Sequence, residues 1–384
     1  MDETTKTTET SGGYPDAGLE EPKEARQVEE SNKKCPQCGA PLIFDPKSSR
    51  LKCEFCGYEE EIEEDREPDR PEVLDYEHSE ETASTDWGLE TRTVVCRSCG
   101  ARSVYDVNAI AQVCPYCGST QIVEAGDAEQ NVMAPGGVIP FAIARKEAAG
   151  RFTRWINGKL FCPSQAKQSA RPDAFQGVYL PYWSFDADSH SVYTGRYGRE
   201  RTVHSSDGKK TQVVVDWHST RGEFSLPVRD QIVCASTKNS QAMIRGVEPF
   251  RMEEAVVYKP DYLAGFTAER YTVRMKDAWT EAKDILESRM RSEAAGRIRS
   301  QHVCDRAEVT SIRTDYSGIG YRYILLPVWM SSFRYGDKVY RFVVNGQTGR
   351  VSGDTPVSAL RVAAAILIGL AVAFILYYLI NGGF

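Results

Sequence analysis

The sequence predicts an α+β fold, and three observations lead there. CxxC pairs occur four times before residue 120: Cys35 with Cys38, Cys53 with Cys56, Cys96 with Cys99, and Cys114 with Cys117. An LPxW segment occurs twice, in "GVYLPYWSFDADS" and "YILLPVWMSSFRY", which align without a gap at an offset of 146 residues. Residues 362–380, "VAAAILIGLAVAFILYYLI", run for nineteen positions without a charge.

The formal net charge of −7 is an average over unlike regions. Residues 1–33 hold nine acidic and four basic side chains, and residues 59–86 hold fourteen acidic and two basic. Removing their −5 and −12 leaves +10 on the rest of the chain. Segments this acidic lack the apolar side chains to build a core, so both read as disordered. The start, "MDETTKTTET", offers neither a basic n-region nor an apolar h-region, so no secretory signal is expected and the cysteines are expected in a reducing cytosol.

Within each cysteine quartet, fourteen residues separate two CxxC turns, and a glycine follows every turn. Zinc takes four thiolates in a tetrahedron, and a CxxC turn sets two of them on one side of the metal with backbone N–H groups aimed at sulfur. Two structural zinc ions are therefore expected, one held by Cys35, Cys38, Cys53 and Cys56 and one by Cys96, Cys99, Cys114 and Cys117. Gly39, Gly57, Gly100 and Gly118 suit the positive φ needed where the backbone turns from the metal. Between the turns, "PLIFD" and "RSVYD" read as strands. Four ligands leave no open position, which points to structural sites whose metal supplies much of the folding free energy. A redox CxxC would need one pair on a thioredoxin-like fold instead. The isolated Cys162, Cys234 and Cys304 are read as buried packing residues. Lys33, Lys34, Lys47, Arg50 and Lys52 surround the first ribbon and suit phosphates, but the second ribbon is less basic and the acidic linker competes for the same surface. A protein-interaction module is expected ahead of nucleic-acid binding.

Each LPxW segment follows a helical stretch, "RKEAAGRFTRWI" from Arg145 and "KDAWTEAKDILESRM" from Lys276. In the second, Trp279, Ala282, Leu286 and Met290 mark one face. "YTGRYGRERT" and "FRYGDKVYRFVVNGQTGRVSG" then read as hairpins. Two similar lobes follow, each a helix on an antiparallel sheet. Catalytic constellations are sparse: Asp186, Asp188 and His190 share a strand face, His190, His204 and His218 are evenly spaced, and both patterns read as solvated polar alternation. The sequence has no GxxxxGK[ST], GxSxG or HExxH, so no enzyme is expected.

Nineteen helical residues span roughly 28 Å, close to a bilayer's hydrocarbon thickness. A single-pass transmembrane helix is expected, with Tyr377 and Tyr378 at the far interface. Arg350 and Arg361 precede it and only "NGGF" follows, so the chain is expected to be tail-anchored in the cell membrane with its bulk in the cytoplasm. Ala365, Gly369 and Ala373 form a small-xxx-small stripe that suits self-association. The domains are then a disordered tail (1–33), zinc ribbons at 34–58 and 91–125 joined by a disordered linker (59–90), α+β lobes at 131–240 and 241–356, and a transmembrane helix at 360–380.

The two quartets, "LPYWSFDAD", "YLAGF.AE.Y", "LLPVW", "Y.F.VNGQTG" and the apolar segment resemble a bacterial family of membrane-anchored double zinc-ribbon proteins, often labelled replication-restart (primosomal) helicase-like. The resemblance covers most of the chain, and "NGQTGRVSG" is locally similar to PepSY-type hairpins. That family's association with flotillin-like (SPFH) proteins and membrane-stress modules implies recruitment to the membrane. The expected function is thus a non-enzymatic, membrane-anchored adaptor or scaffold for protein partners; the alternative is a membrane-tethered nucleic-acid-binding factor.

Overall fold

The computed structural model describes residues 33–62, 70–78, 87, 91–106, 114, 116, 119–124, 133–169, 175–204, 211–237, 241–336 and 338–380. The cysteine-rich region contributes β1 (Ile43–Asp45), β2 (Arg50–Lys52), β3 (Glu59–Glu60), β4 (Leu74–Asp75), β5 (Thr91–Cys96), β6 (Arg102–Asp106) and β7 (Ile122–Glu124). The first half of the body follows as β8 (Gly137–Val138), α1 (Arg145–Asn157), α2 (Ser164–Ser169), β9 (Gln176–His204), β10 (Thr211–Cys234) and α3 (Gln241–Arg245). The second half comprises β11 (Val256–Val257), β12 (Thr267–Glu269), α4 (Met275–Gln301), β13 (Arg306–Tyr335), β14 (Lys338–Asn345) and β15 (Val351–Gly353), and leads to α5 (Ala359–Ile380).

Strands β1, β2 and β3 form a small sheet. All other strands join one 12-stranded sheet with the path β11-β8-β13-β9-β12-β6-β5-β7 and with β10, β14, β15 and β4 attached beside it. Its spine is the antiparallel pair β9 and β13, which runs from Arg306 opposite Gly198 to Met330 opposite Gln176 and shifts register between Val309 and Ser311 and between Ser317 and Gly320. Side chains alternate across a strand. Tyr179, Trp183 and Phe185 therefore enter the core shared with α1 and α4, while Val178, Leu180 and Tyr182 enter a second core with α3 and the second ribbon. Burial on both faces explains why the LPxW segments read as nearly continuous apolar runs. Helix α4 buries Trp279, Ala282, Leu286, Met290, Ala294 and Ile298, which extends the stripe predicted for it by two turns.

The two halves share contacts as well as sequence. Trp183 Nε1 donates to Val273 O at 2.9 Å, and Trp329 Nε1 donates to Ile143 O at 2.7 Å, each acceptor lying two residues before its helix. Pro181 O accepts from Ala235 N, and Pro327 O accepts from Gly346 N, both at 2.8 Å. Their strands nevertheless join one sheet, which does not confirm the expected pair of lobes. β8 leads into α1 yet pairs in parallel with β13, and β12 leads into α4 yet pairs in parallel with β9. Each half lends the strand before its helix to the other, so strands from both sides of residue 240 share one sheet.

Two further expectations are corrected. "YTGRYGRERT" is not a hairpin but lies within β9, and its glycines serve close approach: a Cβ on Gly195 would meet Glu308 O at 2.6 Å, and one on Gly198 would meet Val215 Cγ1. The later signal holds, with Gly336 at φ 59° between β13 and β14 and Gly349 at φ 75° between β14 and β15. The linker 59–90 is ordered where it is described. β3 pairs with β2, β4 pairs with β13, Tyr76 N donates to Ile319 O at 3.2 Å, and Trp87 is buried with its ring 6.0 Å from Tyr258. The apolar Leu74, Tyr76 and Trp87, spaced along an acidic stretch, tie it to the body in a way net charge does not reveal. The expected disordered tail, apart from Lys33, lies outside the described residues, as do the linker's residues 63–69, 79–86 and 88–90.

Helix α5 is 22 residues long with a mean hydropathy of 2.6 over its most apolar window, and none of that window is buried. It is the one helix among the described residues long and apolar enough to cross a membrane.

Candidate metal centre

The first cluster is built by the hairpin of β1 and β2, in which Phe44 faces Leu51 and Asp45 faces Arg50. Its turn closes through Ser49 N to Asp45 O at 2.9 Å and Ser48 Oγ to Asp45 Oδ2 at 3.0 Å. Buried Leu42, Phe44 and Leu51 hold the two strands against the body, and this carries the turn at Cys35 and Cys38 beside the one at Cys53 and Cys56. The four Sγ atoms lie within 4.8 Å of one another, with Cys35 to Cys56 at 3.4 Å and Cys38 to Cys53 at 3.5 Å. A zinc tetrahedron with Zn–S near 2.3 Å separates its sulfurs by about 3.8 Å, so the thiols stand close to ligand geometry.

Both turns use the same backbone scheme. Cys35 N donates to Ala40 O and Gly39 N to Cys35 O, and Cys53 N donates to Tyr58 O and Gly57 N to Cys53 O, all at 2.8–3.0 Å. Gly39 and Gly57 have φ of 75° and 78°, as the spacing predicted. The backbone N–H groups of Cys56 and Phe55, aimed at the Cys53 sulfur, bring that thiol down to about 7. Cys56 is pushed up to about 12: the Tyr58 backbone amide pulls it down, but the neighbouring Cys35 thiol and desolvation outweigh that pull. A bound divalent metal would stand in for the protons these sulfurs share.

The second cluster repeats the scheme, with Cys96 N to Ala101 O at 2.9 Å, Gly100 N to Cys96 O at 2.7 Å, Cys114 N to Ser119 O at 2.8 Å, and Gly100 at φ 69°. The sulfurs of Cys96, Cys99 and Cys114 lie within 4.8 Å of one another, with Cys99 to Cys114 at 3.6 Å. Cys117 and Gly118 lie outside the described residues. Both clusters thus have a donor set and spacing compatible with zinc.

Both clusters are fastened to the body. Phe44 N donates to Ala264 O at 3.0 Å, its ring meets Tyr262 at 5.5 Å, and Lys33 Nζ pairs with Asp261 at 2.5 Å. The second ribbon extends the large sheet directly, β6 pairing antiparallel with β12 through Val104 opposite Ala268. Beside it Tyr116 donates to the fully buried Glu269 at 2.6 Å, and Ser236 Oγ bonds the other carboxylate oxygen. Glu269 is the glutamate of "YLAGF.AE.Y", a segment quoted above for family likeness alone; nothing in its spacing pointed to a buried acceptor for the ribbon.

The remaining candidates are dispersed. Asp186 accepts from Arg322 at 2.7 Å and from Asp230 N at 2.8 Å, Asp188 pairs with Arg229 at 3.1 Å, and His190 Nδ1 lies 3.0 Å from Ser225 Oγ. His218 stacks with Tyr197, which stacks on His302 at 4.0 Å; of the three evenly spaced histidines, His190 and His204 lie fourteen residues apart along β9 and His218 lies on β10. Cys162 is buried as expected, while Cys234 and Cys304 are partly exposed.

Fold and site together define an α+β protein with N-terminal cysteine clusters suited to zinc and a C-terminal helix able to span a membrane. The chain is similar to the uncharacterized protein YdjG of Bacillus subtilis (strain 168), at 29% identity over 339 residues, which covers 86% of this chain and 92% of that protein. No family model matches the chain, and no solved structure matches it.

Proposed function

We propose that this protein is a membrane-anchored zinc-ribbon adaptor, a scaffold that presents its body and both ribbons as one rigid surface at the cytoplasmic face of a bilayer and docks membrane-associated protein partners of flotillin-like type. The observation that carries the reading is the direct continuation of the folded body into the apolar helix α5, whose most apolar window has no buried residue. Confinement near a surface raises the effective concentration of a second membrane-bound partner, so modest contacts suffice. Charge in the first ribbon favours a protein partner over nucleic acid: Lys33 is paired with Asp261 and Glu60, Arg50 with Glu61, and Lys52 with Glu59. Bases already matched to acids release fewer counterions on meeting phosphates. Because both ribbons are fastened to the body, partners meet a composite surface of ribbon and body. The stripe of Ala365, Gly369 and Ala373 offers α5 a route to self-association within the bilayer.

The test is crosslinking and affinity capture from native membranes with the full chain, a chain ending after Pro356, and a Cys35→Ser/Cys38→Ser variant. The reading expects a membrane protein partner captured by the full chain, released from membranes by the truncation, and held more weakly by the cysteine variant. If the truncated chain instead binds DNA with an affinity that collapses as salt rises, the nucleic-acid alternative replaces it.

A further inference from the structure

The turn between α1 and α2 presents two large apolar side chains where the body meets α5. Helix α1 buries Ala148, Ala149, Phe152 and Ile156, and Phe152 stacks on Phe342 with ring centroids 3.7 Å apart. The helix ends at Gly158, and the chain folds into a tight turn in which Lys159 N donates to Ile156 O at 3.1 Å and Cys162 N to Lys159 O at 3.2 Å. Cys162 and Ala166 fill the inner side of this turn. Leu160 and Phe161 stand outside it, 79% and 42% exposed.

Consecutive exposed apolar residues on a rigid turn ask what covers them. The turn is held at the base of α5 by four bonds. Arg361, in the first turn of α5, donates through Nη1 to Leu160 O at 3.1 Å and to Cys162 O at 2.6 Å, and through Nη2 to Ser164 Oγ at 2.7 Å. Ser358 N donates to Phe161 O at 2.9 Å. The same zone contains Val357 and Leu360, 66% and 82% exposed, so the tip is continuous with the apolar surface of the helix itself. Lys159 Nζ lies 4.5 Å over the Trp155 ring, which adds a cation and an amphipathic aromatic, the residue types that collect at bilayer interfaces.

From this geometry we infer that Leu160 and Phe161 insert into the interfacial layer of the bilayer that α5 crosses, giving the body a second membrane contact that fixes its tilt and rotation. The inference rests on reading α5 as a membrane span. A helix alone leaves the body free to swing about one point, whereas a span plus a rigid apolar tip beside it defines an orientation. The bonds from Arg361 satisfy carbonyls that lipid would otherwise leave without donors, which allows a non-helical turn to sit at that depth.

The experiment uses the full chain in vesicles of phosphatidylethanolamine and phosphatidylglycerol, a fraction of whose acyl chains carry a photoactivatable diazirine, with adducts mapped by mass spectrometry. Adducts are expected both on α5 and on the peptide containing Leu160 and Phe161. In a Leu160→Glu/Phe161→Glu variant, and to a lesser degree in Leu160→Ala/Phe161→Ala, the tip adducts should fall while those on α5 persist. Adducts on α5 with none at the tip, as when a second copy of the chain covers it, overturn the inference and leave the span intact. Tip adducts undiminished in both variants also overturn it. An absence of adducts on α5 removes the span and the inference with it.

Discussion

Leu180 lies directly opposite Leu326 in the antiparallel pair of β9 and β13, and the two residues are separated by the 146-residue offset that aligns the LPxW segments. An antiparallel pair centred on equivalent residues has a local two-fold axis at that point. Trp183 and Trp329, each three residues beyond its leucine, therefore lie on opposite sides of that point, opposite Tyr323 and Gly177, and each bonds the backbone just before one helix.

Replacing either tryptophan by phenylalanine should have a similar effect. Each change leaves a carbonyl, Val273 O or Ile143 O, without its indole donor, at a cost of about 1–3 kcal/mol. Chemical denaturation of the Trp183→Phe and Trp329→Phe proteins should show midpoints lowered by comparable amounts; a large asymmetry would show that one half carries most of the stability.

Elemental analysis should find about two zinc ions per chain, as four thiolates per site require. Cys35→Ser/Cys38→Ser should lose one equivalent and keep the other. Protons compete with metal for all four sulfurs, and Cys53, brought down to about 7 by its backbone amides, joins the competition last, so zinc retention in the first cluster under a fixed chelator concentration should weaken as pH falls and most steeply below about 7. Iron, or a metal content unchanged in the variant, would contradict the assignment.

Glycines in this fold divide by what a methyl group would meet. Gly150 in α1 has nothing within 4 Å of an added Cβ, so Gly150→Ala should stabilise the chain by about 0.4–1 kcal/mol through the unfolded state. Gly195→Ala meets the backbone oxygen of Glu308 and Ile298 Cδ1 and should destabilise by about 1–3 kcal/mol, as overpacking does. Thermal melts of the two variants should move in opposite directions.

A chain ending after Pro356 should stay in solution without detergent, because the apolar surface of α5 is the largest exposed apolar feature among the described residues and the body carries its own cores. Ultracentrifugation of membrane extracts should find the truncated chain in the supernatant and the full chain in the pellet. Sedimentation of both with membranes would place the principal membrane contact elsewhere.

The sequence by itself determined whatever depends on neighbours along the chain. CxxC spacing with a following glycine specified the knuckles at Cys35, Cys53 and Cys96 because their bonds close over a few residues. The period of Trp279, Ala282, Leu286 and Met290 specified α4, and an uncharged run specified α5. Only the tertiary structure decided what depends on residues far apart. It exchanged β8 and β12 between the halves, drew Tyr116 onto Glu269 across 153 residues, and set Arg361 on the turn at Leu160. It also turned Gly195 and Gly198 from hairpin signals into contact points within a 29-residue strand. The physical reason is that a period records which face of an element is apolar, whereas the surface that face meets is chosen by the packing of the whole body.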